Sequence, residues 1–220
     1  MTRTPGSIRR RSLFLALAVA TGAGCQSMYY STMEKFGYHK RDILVERVEE
    51  GRDAQQEAKE EIVDALEAFK ALAGFEGGEL EKVYKNLNAK YESSSAAVEE
   101  VKDRIESIED VSEALFKEWS AEIEGMQDVE LRRGSQEMLD DTRTRSEKLI
   151  AGMRAAEKKM EPVLVKFKDH VTFLKHNLNA RAVSSLQKNL VAIEGDVAAL
   201  VVDMEKSIAE ADAFIDAMQE

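Results

Sequence analysis

The sequence predicts an all-α fold, an elongated antiparallel helical bundle or coiled coil of about four long helices, with the third kinked at Pro162. Three observations carry this expectation. No proline interrupts the 220-residue chain between Pro5 and Pro162, so nearly all of its interior is free to be helical. Aromatic residues make up 6% of the chain and β-branched residues come singly or in pairs, which argues against a sheet sandwich or an alternating βα fold. Between Leu80 and Trp119, apolar and small residues recur in alternating steps of four and three, the spacing of a coiled-coil seam.

The first helix is expected over about 41–73, with Leu44 and Val48 near its start and Ile62, Leu66 and Phe69 near its end. Its middle, 49–57, is poor in apolar residues. Three glycines among Gly74-Phe75-Glu76-Gly77-Gly78 end it, because they supply the positive φ values that a helix terminus and turn use. The second helix, about 79–126, carries Leu80, Tyr84, Leu87, Tyr91, Ser94, Val98, Val101, Ile105, Ile108, Ser112, Leu115 and Trp119 on one seam. At ~1.5 Å per residue it is ~70 Å long. A turn follows within 125–135, with Asp128 or Ser135 as the N-cap of the third helix.

The third helix has its seam at Leu149, Met153, Ala156, Met160, Leu164, Phe167, Val171, Leu174 and Leu178. The phase continues across Pro162, so the segment reads as one kinked helix rather than two. The fourth has Leu186, Leu190, Ile193, Val197, Leu200, Met204, Ile208, Ala211, Ile215 and Met218, with a four-residue step from Met204 to Ile208 that reads as a stutter. Between these two lies 175–181, which has two asparagines but neither glycine nor proline. An unbroken helix over 129–218 would be ~135 Å long and would leave its seam short of partners, so a turn is expected here. The order is then up-down-up-down.

The amino-terminal segment reads as an address rather than as part of the fold. Arg3, Arg9, Arg10 and Arg11 precede the apolar run Leu13 to Ala20, and Thr21-Gly22-Ala23-Gly24-Cys25 follows. The run is well short of the ~20 residues that span a bilayer, so residues 1–24 are expected to be a removed signal peptide. Small residues before the sole cysteine resemble the bacterial lipobox, which makes Cys25 the candidate lipid-attachment residue. Gly22 stands where lipoboxes usually carry an aliphatic residue. Cleavage after Ala18-Val19-Ala20 would instead leave Cys25 as a thiol near the new terminus, and Arg10-Arg11 also admits a twin-arginine signal. Gln26, where an Asp tends to retain lipoproteins in the inner membrane, implies the outer membrane on its periplasm-facing side. Loss of 1–24 removes four arginines and no acid, so the formal charge goes from −11 to −15.

Residues 25–40 form the expected lipidated aromatic tether, and 41–220 the bundle. Tyr29, Tyr30, Phe36 and Tyr38, beside Lys35, Lys40 and Arg41, suit a membrane interface or a cap on one end of the helical core.

Function is constrained mainly by exclusion. A strongly acidic chain lacks the basic surface that nucleic acid requires, and one cysteine forms no disulfide framework. His39, His170 and His176 have no HExxH spacing, and no E-x-x-H accompanies the acidic pairs, so neither a zinc nor a carboxylate-bridged metal is expected. No phosphate loop, nucleophile elbow or GxGxxG turn occurs, so no catalytic or cofactor-binding residue is expected. The basic, amide-rich stretch Lys175, His176, Asn177, Asn179 and Arg181 is the candidate partner-binding site; the alternative is a polar turn whose cations favour a helix C-terminus. The leading expectation is a non-enzymatic envelope scaffold or interaction module with a protein partner. The runner-up is a carrier for an apolar or anionic small molecule between the helices. Coiled-coil seams are satisfied within or between chains, so a homo-oligomer stays open.

Several stretches together are specific: Cys25-Gln26-Ser27 followed by Tyr29-Tyr30, the run from Glu34 to Val45, Glu113 to Trp119, Met160 to Leu164, and Phe173-Leu174-Lys175-His176-Asn177-Leu178-Asn179-Ala180-Arg181-Ala182. On these the chain resembles a bacterial family of exported lipoproteins, the domain of unknown function 2959. The resemblance implies a helical lipoprotein and no activity.

Overall fold

The structure is a computed structural model that describes residues 40–219 except Glu76 and Gly78. Four helices follow one another: α1 (Lys40–Ala73), α2 (Leu80–Gly125), α3 (Val129–His176) and α4 (Ala180–Gln219). Each packs on its neighbours in a closed ring, α1 against α2 and α4, and α3 against α2 and α4. Ion pairs across each groove give the antiparallel register: Lys90–Asp64 at 2.6 Å, Arg154–Glu109 at 2.7 Å, Lys159–Asp203, and Arg52–Asp212 at 3.0 Å. The all-α antiparallel bundle is therefore the fold.

Chain reversals are short, and each has a local cause. At the end of α1, the Gly74 amide donates to the Lys70 carbonyl at 2.8 Å, and Gly77 takes a φ of 158° in the turn. The α2–α3 turn falls within 125–135, as expected, and Asp128 rather than Ser135 is the N-cap. It comprises only Met126 to Asp128, and residues 129–135 are already helical. Asp128 is the reason: its carboxylate accepts from the amides of Glu130 at 2.9 Å and Leu131 at 3.0 Å, pairing two donors that a helix start leaves open. The 175–181 segment does break the chain, at 177–179. Pro162 lies inside α3, on its exposed side, and the helix runs through it.

The seam of α2 is buried from Leu87 through Ser94, Val98, Val101, Ile105, Ile108 and Ser112 to Leu115, and half-buried at Leu80, Tyr84, Tyr91 and Trp119. Two other seams differ from the expectation. In α1 the poorly apolar middle is not a gap. Leu44, Val48, Gly51, Gln55, Ala58, Ile62, Ala65, Phe69 and Leu72 are all buried and step by four and three without a break. In α4 there is no stutter. Ser207 is 3% exposed and supplies the missing three-residue step, while Ile208 is half-buried and Phe214 enters the core. Sequence reading missed both because the seam carries polar or small residues there, and a hydrophobicity pattern does not register them.

Those polar positions are partnered across helices. The Ser207 hydroxyl donates to the Gln55 amide oxygen at 3.1 Å, joining α4 to α1. The Ser112 and Ser146 hydroxyls lie 3.1 Å apart between α2 and α3. Ser94 lies 2.7 Å from the Glu61 carbonyl and 2.8 Å from the Lys90 carbonyl. The Gln55 amide nitrogen is buried without a hydrogen-bond partner. Gly51 leaves little room on its seam: a Cβ there would stand 2.8 Å from Ile108 Cδ1 and 3.5 Å from Met153 Cε.

Two changes at the α1 seam therefore diverge. Gly51→Leu overpacks the contact with Ile108 and Met153 and lowers stability by ~1–3 kcal/mol. Gln55→Leu made together with Ser207→Ala removes the buried amide and the hydroxyl it accepts from, and is neutral or stabilising, within ~1 kcal/mol. Urea unfolding midpoints with unchanged slopes check both, and equal midpoints for Gly51→Leu and wild type would refute the close approach.

Candidate interaction surface at the α3–α4 junction

The segment 173–181 forms the end of the bundle opposite Lys40, where α3 gives way to α4. Its two asparagines are used in folding. Asn177 caps α3, its amide nitrogen donating to the Phe173 carbonyl at 2.9 Å. Asn179 accepts from the Ala182 amide at 3.1 Å and so starts α4. Gln187 ties this end to α1 by donating to the Ala73 carbonyl at 2.8 Å.

The other members of the stretch are free of such work. Lys175, His176 and Arg181 are exposed, beside Phe173 at 44% and Leu178 at 38% exposure. The structure thus divides the five candidate residues in two: Asn177 and Asn179 hold the turn, and Lys175, His176 and Arg181 project from it. Charge concentrates around them, since residues 158–191 hold seven lysines and arginines against two acids in a chain of net charge −11. Lys159 and Lys166 pair with Asp203 and Asp196 on α4. Lys168, Lys175, Arg181 and Lys188 make no ion pair among the described residues. Sequence reading had singled out 175–181 but not the wider basic field, which needs the hairpin to bring 168 and 188 to the same end.

Beneath this surface the core closes with aromatic contacts. Phe69 and Phe167 meet edge-on with centroids 6.2 Å apart, and the half-buried His170 ring lies 5.0 Å from that of Phe69. Burial depresses the His170 pKa below its ordinary value, and the adjacent Asp169 charge opposes this only in part. The imidazole is a packing group on the flank of the seam. Trp119, at the other end, is half-buried and donates its indole N–H to Ser135 at 2.9 Å.

Among the described residues no three His, Cys, Asp or Glu side chains are grouped to hold a metal, and no helix is long and apolar enough to cross a membrane. Some members of the acidic pairs meet cations instead: Glu61 lies 3.8 Å from Lys90, Glu99 3.4 Å from Lys102, Glu100 2.6 Å from Arg104 and Asp141 2.7 Å from Arg145. The lipid-attachment candidate Cys25, the interface candidates Tyr29, Tyr30, Phe36 and Tyr38, and His39 lie outside the described residues.

Fold and surface together define an antiparallel four-helix bundle with heptad seams and a cationic turn at one end. The chain belongs to the family described as protein of unknown function (DUF2959), whose family model matches residues 29–218. Neither a curated protein nor a solved structure matches it.

His170 makes stability pH-dependent in a defined direction. Its folded pKa is lowered, so the unfolded chain takes up the proton first, and stability falls as pH drops below the unfolded value of ~6.5. His170→Gln removes this component while leaving the carboxylates that titrate at lower pH. Chemical denaturation at pH 7.5 and 5.5 should show a smaller loss in the variant than in wild type; equal losses would contradict the burial argument.

Proposed function

We propose that this chain is a lipid-anchored periplasmic scaffold of the bacterial envelope, non-enzymatic, which meets an acidic protein partner through the α3–α4 junction. The observation that carries the reading is the exposure of Lys175, His176 and Arg181 together with Phe173 and Leu178 at one end of a rigid rod whose helices are otherwise acidic or balanced. Charge directs such an encounter, and the exposed apolar side chains supply area that leaves water on contact. The arginine-led apolar segment and the small residues before Cys25 support export and acylation, with the lipid carried toward the outer membrane's inner face.

The bundle interior favours a scaffold over a carrier. Gly51 is in van der Waals range of Ile108 and Met153, and the seam hydroxyls of Ser94 and Ser112, which could have marked loose packing, are occupied by hydrogen bonds. A carrier would need several hundred Å3 of lined space between its helices. Native mass spectrometry finding a stoichiometric small molecule on the purified chain would reverse this preference.

Two measurements test the proposal. Radiolabelled palmitate should enter the wild-type protein and not Cys25→Ala; equal labelling, or none in either, removes the anchor. A photo-crosslinking residue at 175 or 181 should capture an envelope protein in cells, and one at Glu113 on an exposed face of α2 should not. The pair Lys175→Glu and Arg181→Glu should abolish that adduct without changing the unfolding midpoint, and an adduct that survives charge reversal ends the assignment of this surface.

A further inference from the structure

The four helices are unequal, and the excess lies at one end. Lys40, the first residue of α1, pairs with Glu118 at 2.9 Å, and Arg41 donates to the Met218 carbonyl near the end of α4. The described residues of both helices thus reach the level of Glu118. From there α2 continues seven residues to Gly125, and α3 begins beside it, with Trp119 bonded to Ser135. The α2–α3 hairpin projects by ~10 Å beyond the described residues of α1 and α4.

Apolar side chains of this hairpin are exposed. Val129 is 63%, Leu131 68% and Met138 59% exposed, and a shallow groove runs between Met126, Leu131 and Met138. Two of its acids are engaged locally. Asp128 is engaged with two backbone amides, and Glu130 pairs with Arg133 at 2.8 Å. Arg132 is exposed and makes no ion pair among the described residues. Glu122 and Glu124 on the last turns of α2 disfavour a densely anionic surface.

We infer that this hairpin tip is a lipid-contacting surface, in which Val129, Leu131 and Met138 enter the headgroup boundary of a predominantly zwitterionic phospholipid bilayer and Arg132 meets a phosphate. The chain length selects this occupant. The tip lies at the same end as Lys40, and Cys25 precedes Lys40 by fifteen positions, which at ~3.4 Å each reach at most ~50 Å. An acyl group on Cys25 keeps that end of the bundle within reach of the bilayer, where a few exposed apolar residues bind at a high effective concentration. The inference rests on the acylation in the proposed function and fixes which end of the rod faces the lipid.

The test uses the full-length processed protein in phosphatidylethanolamine-phosphatidylcholine vesicles. Leu131→Cys and, at the opposite end, Phe173→Cys carry an environment-sensitive fluorophore. A lipid-borne nitroxide serves as quencher, and wild type reports whether Cys25 is blocked to the thiol reagent. The expected result is a blocked Cys25, a blue-shifted and quenched probe at 131, and an unquenched probe at 173. In the same assay, an added Val129→Asp should cost the 131 probe most of its quenching while the protein still floats with the vesicles. A blocked Cys25 with a water-exposed probe at 131 overturns the inference and leaves the anchor standing. Shielding at 131 that resists lipid quenching and falls on dilution of the protein assigns the tip to a second copy, which also overturns it. A reactive Cys25 and no flotation overturn both readings.

Discussion

Everything in this molecule depends on keeping four seams in register along antiparallel helices. Each helix alone presents a stripe of apolar and small residues on a surface rich in charge, and such a stripe is stable only when another covers it. Full burial of a large side chain such as Ile62, Leu87, Ile105 or Phe167 is worth ~1.5–3 kcal/mol, far more than any surface ion pair. The interhelical pairs, Lys90–Asp64 or Arg154–Glu109, act on register more than on stability, because a slip of one turn would separate them.

The polar members of the seams narrow the register further. Ser112 faces Ser146 and Ser207 faces Gln55, so sliding either helix pair would leave buried hydroxyls and an amide unpaired. An all-aliphatic seam accepts several offsets at similar energy, whereas these pairs accept one. Gly51 adds a steric condition, since a Cβ there would meet Ile108 at 2.8 Å and Met153 at 3.5 Å. Small and polar residues thus do in α1 what larger apolar residues do in α2, and they bring the same 4-3 spacing.

The two ends of the rod differ in chemistry, and this difference organises the functional reading. One end carries a capped, cationic turn with Lys175, His176 and Arg181 outward. The other carries an apolar hairpin tip on which Asp128 and Glu130 are engaged and Arg132 makes no ion pair among the described residues. A rigid body with unlike ends suits a spacer between two surfaces. Separation of the ends is set by helix length, ~50 Å for the shortest of the four, α1 with 34 residues.

The sequence alone determined the class of fold, because a sustained seam without proline leaves few other structures open, and it located the breaks at the glycine run, within 125–135 and within 175–181. The resemblance to the family was legible on several specific runs of residues, and the family match over 29–218 bears it out. It also singled out 175–181, since a basic amide-rich stretch is conspicuous in an acidic chain. It did not reveal the buried roles of Gly51, Gln55, Ser146 and Ser207, whose residue types belong to solvent by hydropathy and become core only when a partner helix supplies the hydrogen bond or the close contact. Nor did it reveal the uneven ends. Apolar residues at 129, 131 and 138 look like seam until the lengths of all four helices are compared, and only packing decides where one helix stops beside another. Periodicity is a property of one helix, whereas overhang, pairing and a shared charge field are properties of several, and those were left to the tertiary structure.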